Sequence, residues 1–179
     1  MKKEINKMKV LVTYSTLTGN TKKLAEGIYE GITAEEKAIM PMGEVSGTEL
    51  DSSDIVLAGY WVDKGGPNKE AQEFLLRLSG KKIGLFATLG FWPDTEHGWN
   101  SLMKGEELVK EKNKVIARYV CQGKLGDDMI AMFSKLPADN PHAITEEKLR
   151  RYEVAKKHPS ATDIAHAVEV FEERISVNV

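Results

Sequence analysis

The sequence is poor in the features that mark several common protein classes. Its 179 residues include one cysteine, Cys121, so neither an intramolecular disulfide nor a cysteine-based metal site can be assembled. That usage suits a reducing, cytoplasmic compartment, which is the expected location. The four histidines, His97, His142, His158 and His166, share no short metal-ligand spacing, and no metal site is expected. No apolar run approaches the roughly 20 residues that a spanning helix needs. The polar opening from Met1 to Lys9 lacks the apolar stretch of a signal peptide, so no membrane or secretory route is expected. An excess of one charge is missing too. Twenty-five basic and 27 acidic residues leave a net charge of −2, with no field to attract nucleic acid. The sequence has no G-x-x-x-x-G-K-[ST] and no G-x-G-x-x-G after a strand, which excludes a P-loop NTPase and a dinucleotide fingerprint. No Ser/His/Asp order or paired-carboxylate spacing points to hydrolysis.

What is present is one domain's worth of alternating strands and helices. With 41% hydrophobic and 29% charged residues, the chain can bury one sizeable core. Lys9 to Tyr14 is a short β-rich apolar run, read as a buried strand. Thr21 to Ile32 carries Leu24, Ala25, Ile28 and Ile32 as a helical stripe. Residues 37–42 form a weak second strand checked by Pro41, and Asp54 to Val62 a nearly unbroken apolar strand of the central parallel kind. Pro67 to Leu78 is helical, with Ala71, Phe74, Leu75 and Leu78 facing inward. Ile83 to Leu89 is the next strand, Trp99 to Glu111 the next helix, and Val115 to Cys121 the last strand. This β-α-β-β-α-β-α-β series predicts an α/β fold, a doubly wound five-stranded parallel sheet in the order 2-1-3-4-5. Residues 8–121 would form that core within a single domain, 1–179, and 122–179 a helical C-terminal extension. Three helices are expected there, at Asp127 to Leu136, Thr145 to Lys157 and Ser160 to Ile175. The last would pack through Ala165, Val168, Phe171 and Ile175, and the middle two have no assigned place.

In such a sheet, ligands bind beyond the carboxyl ends of the strands, where strand order reverses. The first loop at that edge is Ser15-Thr16-Leu17-Thr18-Gly19-Asn20-Thr21, joining the first strand to the first helix. It offers four hydroxyls, an amide and a glycine directly before a helix N-terminus. Unpaired backbone N–H groups and about half a positive charge stand there. The combination can receive a phosphate dianion with no Lys or Arg inside the loop. Any one of these residues could equally serve as an ordinary helix cap. Acidic residues do not cluster there, so a magnesium-binding receiver domain does not fit.

The run from Val10 to Ile28, centred on Tyr-Ser-Thr-Leu-Thr-Gly-Asn-Thr, resembles the signature of the flavodoxin family. The resemblance implies FMN as cofactor, with Ser15, Thr16, Leu17, Thr18, Gly19, Asn20 and Thr21 wrapping its phosphate. It also implies that the loops after strands three and four flank the flavin ring. Those loops hold Trp61, Val62, Asp63 and Lys64, and Thr88, Leu89, Gly90, Phe91 and Trp92. Trp61 is the first stacking candidate and either Phe91 or Trp92 the second. Tyr60 alternates away from Trp61 and is expected in the core. Gly65, Gly66 and Gly90 permit close backbone approach. His97, which follows the second ring loop, is a residue to test. Cys121 and Lys124 could approach the ligand, or be a buried thiol and a solvated lysine. By the same resemblance the ring would lie between aromatics and away from cations, which disfavours its reduced anion and suits one-electron shuttling.

The function implied is an electron carrier between a reductase and an acceptor, with redox proteins and FMN as its partners. Segments Gly59 to Gly65, Cys121 to Lys124 and Asp139 to Ala143 are also similar to a flavodoxin branch associated with bilirubin reduction. Two rivals stand beside this reading. One is an NAD(P)H-dependent FMN quinone reductase of the same fold, and the other an accessory module that holds no flavin. The near-neutral charge predicts weak steering toward basic partners and so favours a dedicated one.

Overall fold

The computed structural model describes residues 8–178. Five parallel strands form its centre: β1 (Lys9–Tyr14), β2 (Glu36–Pro41), β3 (Ile55–Asp63), β5 (Lys82–Leu89) and β6 (Lys114–Gln122). They stand in the order β2-β1-β3-β5-β6, the doubly wound arrangement expected from the sequence. A sixth strand was not anticipated. β4 (Gly66–Pro67) is a two-residue arm that folds back antiparallel on the end of β3, pairing Val62 with Pro67 and Asp63 with Gly66. Lys64 and Gly65 turn the chain between them with φ of 49° and 76°. Two successive positive φ values are what a two-residue hairpin on a right-twisted strand requires.

Period-two alternation along each strand sorts the core into two layers. Val10, Val12, Tyr14, Ile55, Leu57 and Phe86 face one side and meet Leu24, Ala25 and Ile28 of α1 (Asn20–Gly31). They also meet Ala167, Phe171 and Ile175 of α7 (Ala161–Ser176). Leu11, Val56, Ala58, Tyr60, Leu85 and Ala87 face the other side. There they pack on Phe74 and Leu75 of α3 (Lys69–Leu75) and on Leu102 and Val109 of α4 (Glu96–Val109).

Several expectations are corrected at this level. A short helix, α2 (Gly47–Ser52), stands between β2 and β3, where the sequence series had none. It is closed by a reciprocal capping box between Ser46 and Glu49. α4 begins three residues earlier than the apolar pattern suggested, because Thr95 accepts a hydrogen bond from the Gly98 N–H and caps it. The final helix belongs to the α1 layer of the core. Ala165 is exposed on it, and Ile164 takes its place beside the expected Val168 against α1. A methyl on Gly27 or Gly31 would lie 2.4 or 2.5 Å from those two side chains, so the helices approach only because both positions are glycine. The two middle helices, α5 (Asp127–Phe133) and α6 (Glu146–Ala155), lie along the carboxyl edge of the sheet.

Gly59 in β3 is the tightest point of the core: a Cβ there would lie 1.9 Å from the Phe86 ring. Gly59→Ala is expected to cost about 3 kcal/mol, the upper end of overpacking penalties. Thermal denaturation should then show a melting temperature roughly 6–12 °C lower. A variant melting within about 2 °C of the parent would mean that the ring moves aside freely.

Candidate flavin site

The loop from Ser15 to Thr21 is held at three points before any ligand is considered. The Ser15 N–H donates to the Gly59 carbonyl at 2.9 Å, extending the β1–β3 pairing by one bond. The Thr16 hydroxyl accepts from the Gly19 N–H at 3.1 Å. Thr21, fully buried, shares a 2.9 Å hydroxyl–hydroxyl bond with Thr88 at the end of β5. Gly19 then caps α1 with φ of 90°, a left-handed conformation that glycine adopts without strain. No side chain caps the helix, so its first N–H groups remain available for an anion.

Beside this loop opens a cavity of about 490 Å³, within the usual size range of small-molecule sites. Leu17, Thr18, Asn20, Trp61, Val62, Lys64, Thr88, Leu89, Gly90 and Phe91 line it, so the three candidate loops converge on one space. Of the other candidates, Thr16, Gly19 and Thr21 shape the loop without forming the wall. Asp63 and Trp92 are off the wall as well. The Trp92 carbonyl accepts from the Thr95 hydroxyl at 2.7 Å, and of the two aromatics of this loop Phe91 is the one on the cavity wall. Ser15 departs furthest from its expected role. Its hydroxyl donates to Glu70 and accepts from the Asn68 amide at 2.8 Å, on the α3 side of the sheet. Tyr60 is core as expected; its hydroxyl donates to the Ser101 carbonyl at 2.9 Å and burial pushes its pKa up.

The opposite wall comes from residues to which the sequence assigned no role, Lys124 excepted, for which a ligand contact and a solvated lysine were the alternatives. Gly123, Lys124, Leu125 and Gly126 follow β6, Met129 and Phe133 belong to α5, and Lys148, Arg151 and Tyr152 to α6. The Asn20 amide donates to both the Thr18 hydroxyl, at 3.0 Å, and the Lys124 carbonyl, at 2.8 Å, and so ties the two walls together. The Arg151 guanidinium stands 4.5 Å from the centre of the Phe91 ring, and His97 meets the same ring edge-on at 5.6 Å. Phe133 and His142 stack at 5.3 Å beside them. A signal for this wall exists in α6, where Lys148, Arg151, Tyr152 and Ala155 recur at helical spacing. Being part cationic, that stripe does not read as a packing face. Among the described residues, no cluster of His, Cys, Asp or Glu is arranged for a metal, and no helix is long and apolar enough to cross a membrane.

Cys121 lies in the core between the sheet and the α1–α7 layer, not on the cavity wall. Burial, reinforced by the charge of Asp163, pushes its thiol pKa well up, so the reactive thiolate is scarce at neutral pH. Asp163 itself is pushed up by burial, but hydrogen bonds from Ser160 and His158 outweigh this and hold it below the usual carboxylate value. A thiol-reactive disulfide reagent at pH 8 should therefore label Cys121 about a hundredfold or more slower in the native protein than in urea. Equal rates would place the thiol in contact with solvent.

The geometry fits FMN in two respects. An uncapped helix terminus with the Thr18 hydroxyl beside it matches a phosphate, and Trp61 and Phe91 both line the cavity in which a planar ring would lie. Comparison with known proteins agrees. The flavodoxin domain family matches residues 11–172. A flavodoxin-like domain-containing protein BilS of Clostridioides difficile (strain CD3) is 38% identical over 165 residues, covering 89% of this chain and 92% of that protein. A second protein of that name, from Clostridium symbiosum (strain WAL-14163), is 29% identical over 174 residues, covering 88% and 91%. Oxidised flavodoxin 2 of Bacillus cereus shares the fold with a TM-score of 0.63 at 17% identity, over 96% of this chain and 99% of its own. A family match of this extent, together with the fold and the loop geometry, assigns the chain to the flavodoxin family, a family of FMN-dependent electron-transfer proteins.

Proposed function

We propose that this chain binds FMN in the cavity at the carboxyl edge of the sheet and carries electrons from a reductase to a dedicated acceptor enzyme. The observation that carries the reading is the juxtaposition of an uncapped α1 N-terminus with a cavity that continues between Trp61 and Phe91. The backbone N–H groups at the start of α1, with Thr18 and the reorientable hydroxyl of Thr16, would hold the phosphate. Trp61, Val62, Leu89 and Phe91 would enclose the ring and exclude water. The bound flavin would supply the electron-accepting group, a chemistry that none of the twenty side chains offers. Lys64, at φ of 49°, and Gly65 place a strained turn against the ring region, where their backbone can meet the ring's polar edge.

The finer assignment is to an accessory role beside a dedicated reductase, of the bilirubin type. It is supported by the similarity to the two BilS proteins and by the segments Gly59 to Gly65 and Asp139 to Ala143. The local structure supports it as well. His142, from the second of those segments, reaches the cavity wall, so part of the resemblance to this branch lies at the site itself.

The test is a titration of the purified protein with FMN and riboflavin. FMN should bind far more tightly, since each hydrogen bond to a charged group contributes about 1.5–3 kcal/mol. Replacing Thr16 and Thr18 together with Val should weaken FMN binding by at least about tenfold and leave riboflavin binding nearly unchanged. Equal losses for both ligands would remove the loop from the phosphate site. Steady oxidation of NADPH by the protein alone, with a quinone as acceptor, would favour the quinone-reductase reading instead.

A further inference from the structure

The α5–α6 side of the cavity has no part in holding FMN as proposed above, yet it is built of ring surfaces and one unsatisfied cation. Phe133, His142, Arg151 and Tyr152 line it. Phe133 and His142 stack there at 5.3 Å with their rings inclined by 15°, and Tyr152 is buried on the same wall.

The cations of the cavity differ in what already holds them. Lys124 Nζ lies 3.9 Å from Asp127. Lys148 donates to the Pro141 and Ala143 carbonyls at 2.5 and 2.8 Å, and so fixes the loop that carries His142. Lys64 is exposed at its turn. Arg151 is half-buried and pairs with no carboxylate among the described residues, whereas Arg150 beside it pairs with Glu146 on the outer face. The Arg151 guanidinium lies over two rings, Phe91 at 4.5 Å and Tyr152 at 5.5 Å. Held against ring faces, a guanidinium is fixed in its plane and keeps its N–H edge for another partner. Its Nε is buried without a hydrogen bond. A buried donor left unpaired is costly, and no Asp or Glu lines the cavity to satisfy it. The partner that removes this cost comes with a ligand. A carboxylate fits best, because its two oxygens match two parallel guanidinium N–H groups.

We propose that the α5–α6 side of the cavity is a second ligand site, where Arg151 takes the carboxylate of a planar organic acid whose ring system lies against Phe133, His142 and Tyr152. The carboxylate contact follows from the setting of Arg151; that the acid lies next to a flavin rests on the FMN reading above. The two ligands use different parts of one cavity. Phosphate goes to the α1 N-terminus and Thr18, and carboxylate goes to α6. The protein thereby binds a small acid as well as a cofactor. It rejects uncharged analogues of the same shape, which would leave the guanidinium edge unpaired.

Calorimetric titrations with 2-naphthoate and its uncharged analogue 2-naphthamide, before and after loading with FMN, provide the test. The parent protein should bind naphthoate about tenfold or more tighter than the amide in both states. Arg151→Gln should lose about tenfold or more for naphthoate and keep its affinity for the amide and for FMN. Arg151→Lys keeps the charge but loses the fork, and should recover only part of the loss. Arg150→Gln, on the outer face, should match the parent. Failure of the parent to bind naphthoate, or to bind it more tightly than the amide, overturns the inference whatever the variants do. Competition between naphthoate and FMN overturns it too, as does an Arg151→Gln variant that keeps the parent's preference. A variant that loses FMN but not riboflavin also overturns it, because the guanidinium would then serve the cofactor's phosphate. Arg151-dependent naphthoate binding by a protein that takes up no FMN removes the FMN reading and leaves the carboxylate site standing.

Discussion

The site depends on how the first turn of α1 is fastened to the sheet. Thr21 and Thr88 come from elements 67 residues apart and share a hydroxyl bond in a fully buried position. Either hydroxyl alone there would be an unsatisfied polar group costing about 1–3 kcal/mol, so each requires the other. With the Ser15 N–H bound to the Gly59 carbonyl, this pair fixes the loop across β1, β3 and β5 at once. A loop of small polar residues, otherwise free to adopt many shapes, thereby keeps its N–H groups directed at one region. The cavity follows from that restraint, because both ring loops leave from the strands that the restraint connects.

Much of this was legible in the sequence, for a physical reason. Strand runs such as Val10 to Tyr14 and Ile55 to Tyr60 are buried on both faces, and composition alone marks such runs. The hydroxyl-rich loop is local, so its seven residues could be read together. Features set by distant contacts were hidden. The inward rotation of Ser15 depends on Asn68 and Glu70, more than 50 residues away. The place of Phe91 on the wall goes with the arrival of Arg151 over its ring from the C-terminal part of the chain. α5 and α6 carry clear helical patterns, but no local rule says which loop edge a polar helix will cover. The arm at Gly66–Pro67 was missed because two residues give no periodicity, and Gly65 and Gly66 were read only as permitting close backbone approach.

Net charge was an incomplete guide. A total near zero suggested an electrostatically neutral molecule, and the cavity shows that local arrangement matters more. Glu146 and Glu153 of α6 pair outward with Arg150 and Lys156, while Lys148 and Arg151 on the cavity side have no carboxylate partner among the described residues. Solvent screening weakens the outer pairs and affects the enclosed wall less. The field that a ligand meets therefore comes from a few side chains on the helices that cover the sheet edge. Those helices are anchored at their far end by the 158–160 corner, where the His158 carbonyl accepts from the Lys124 N–H and the Pro159 carbonyl accepts from Lys23 Nζ.

The amide of Asn20 has two hydrogens to give, and both are committed: one to Thr18, the other to Lys124 across the cleft. A newcomer that wants one of them has to win it from a current holder. If it displaces Lys124, the strap between the two rims loosens at the moment of arrival. If it displaces Thr18, that hydroxyl is freed to turn toward the newcomer. In both cases occupancy and the tightness of the cleft are decided by exchange at a single nitrogen.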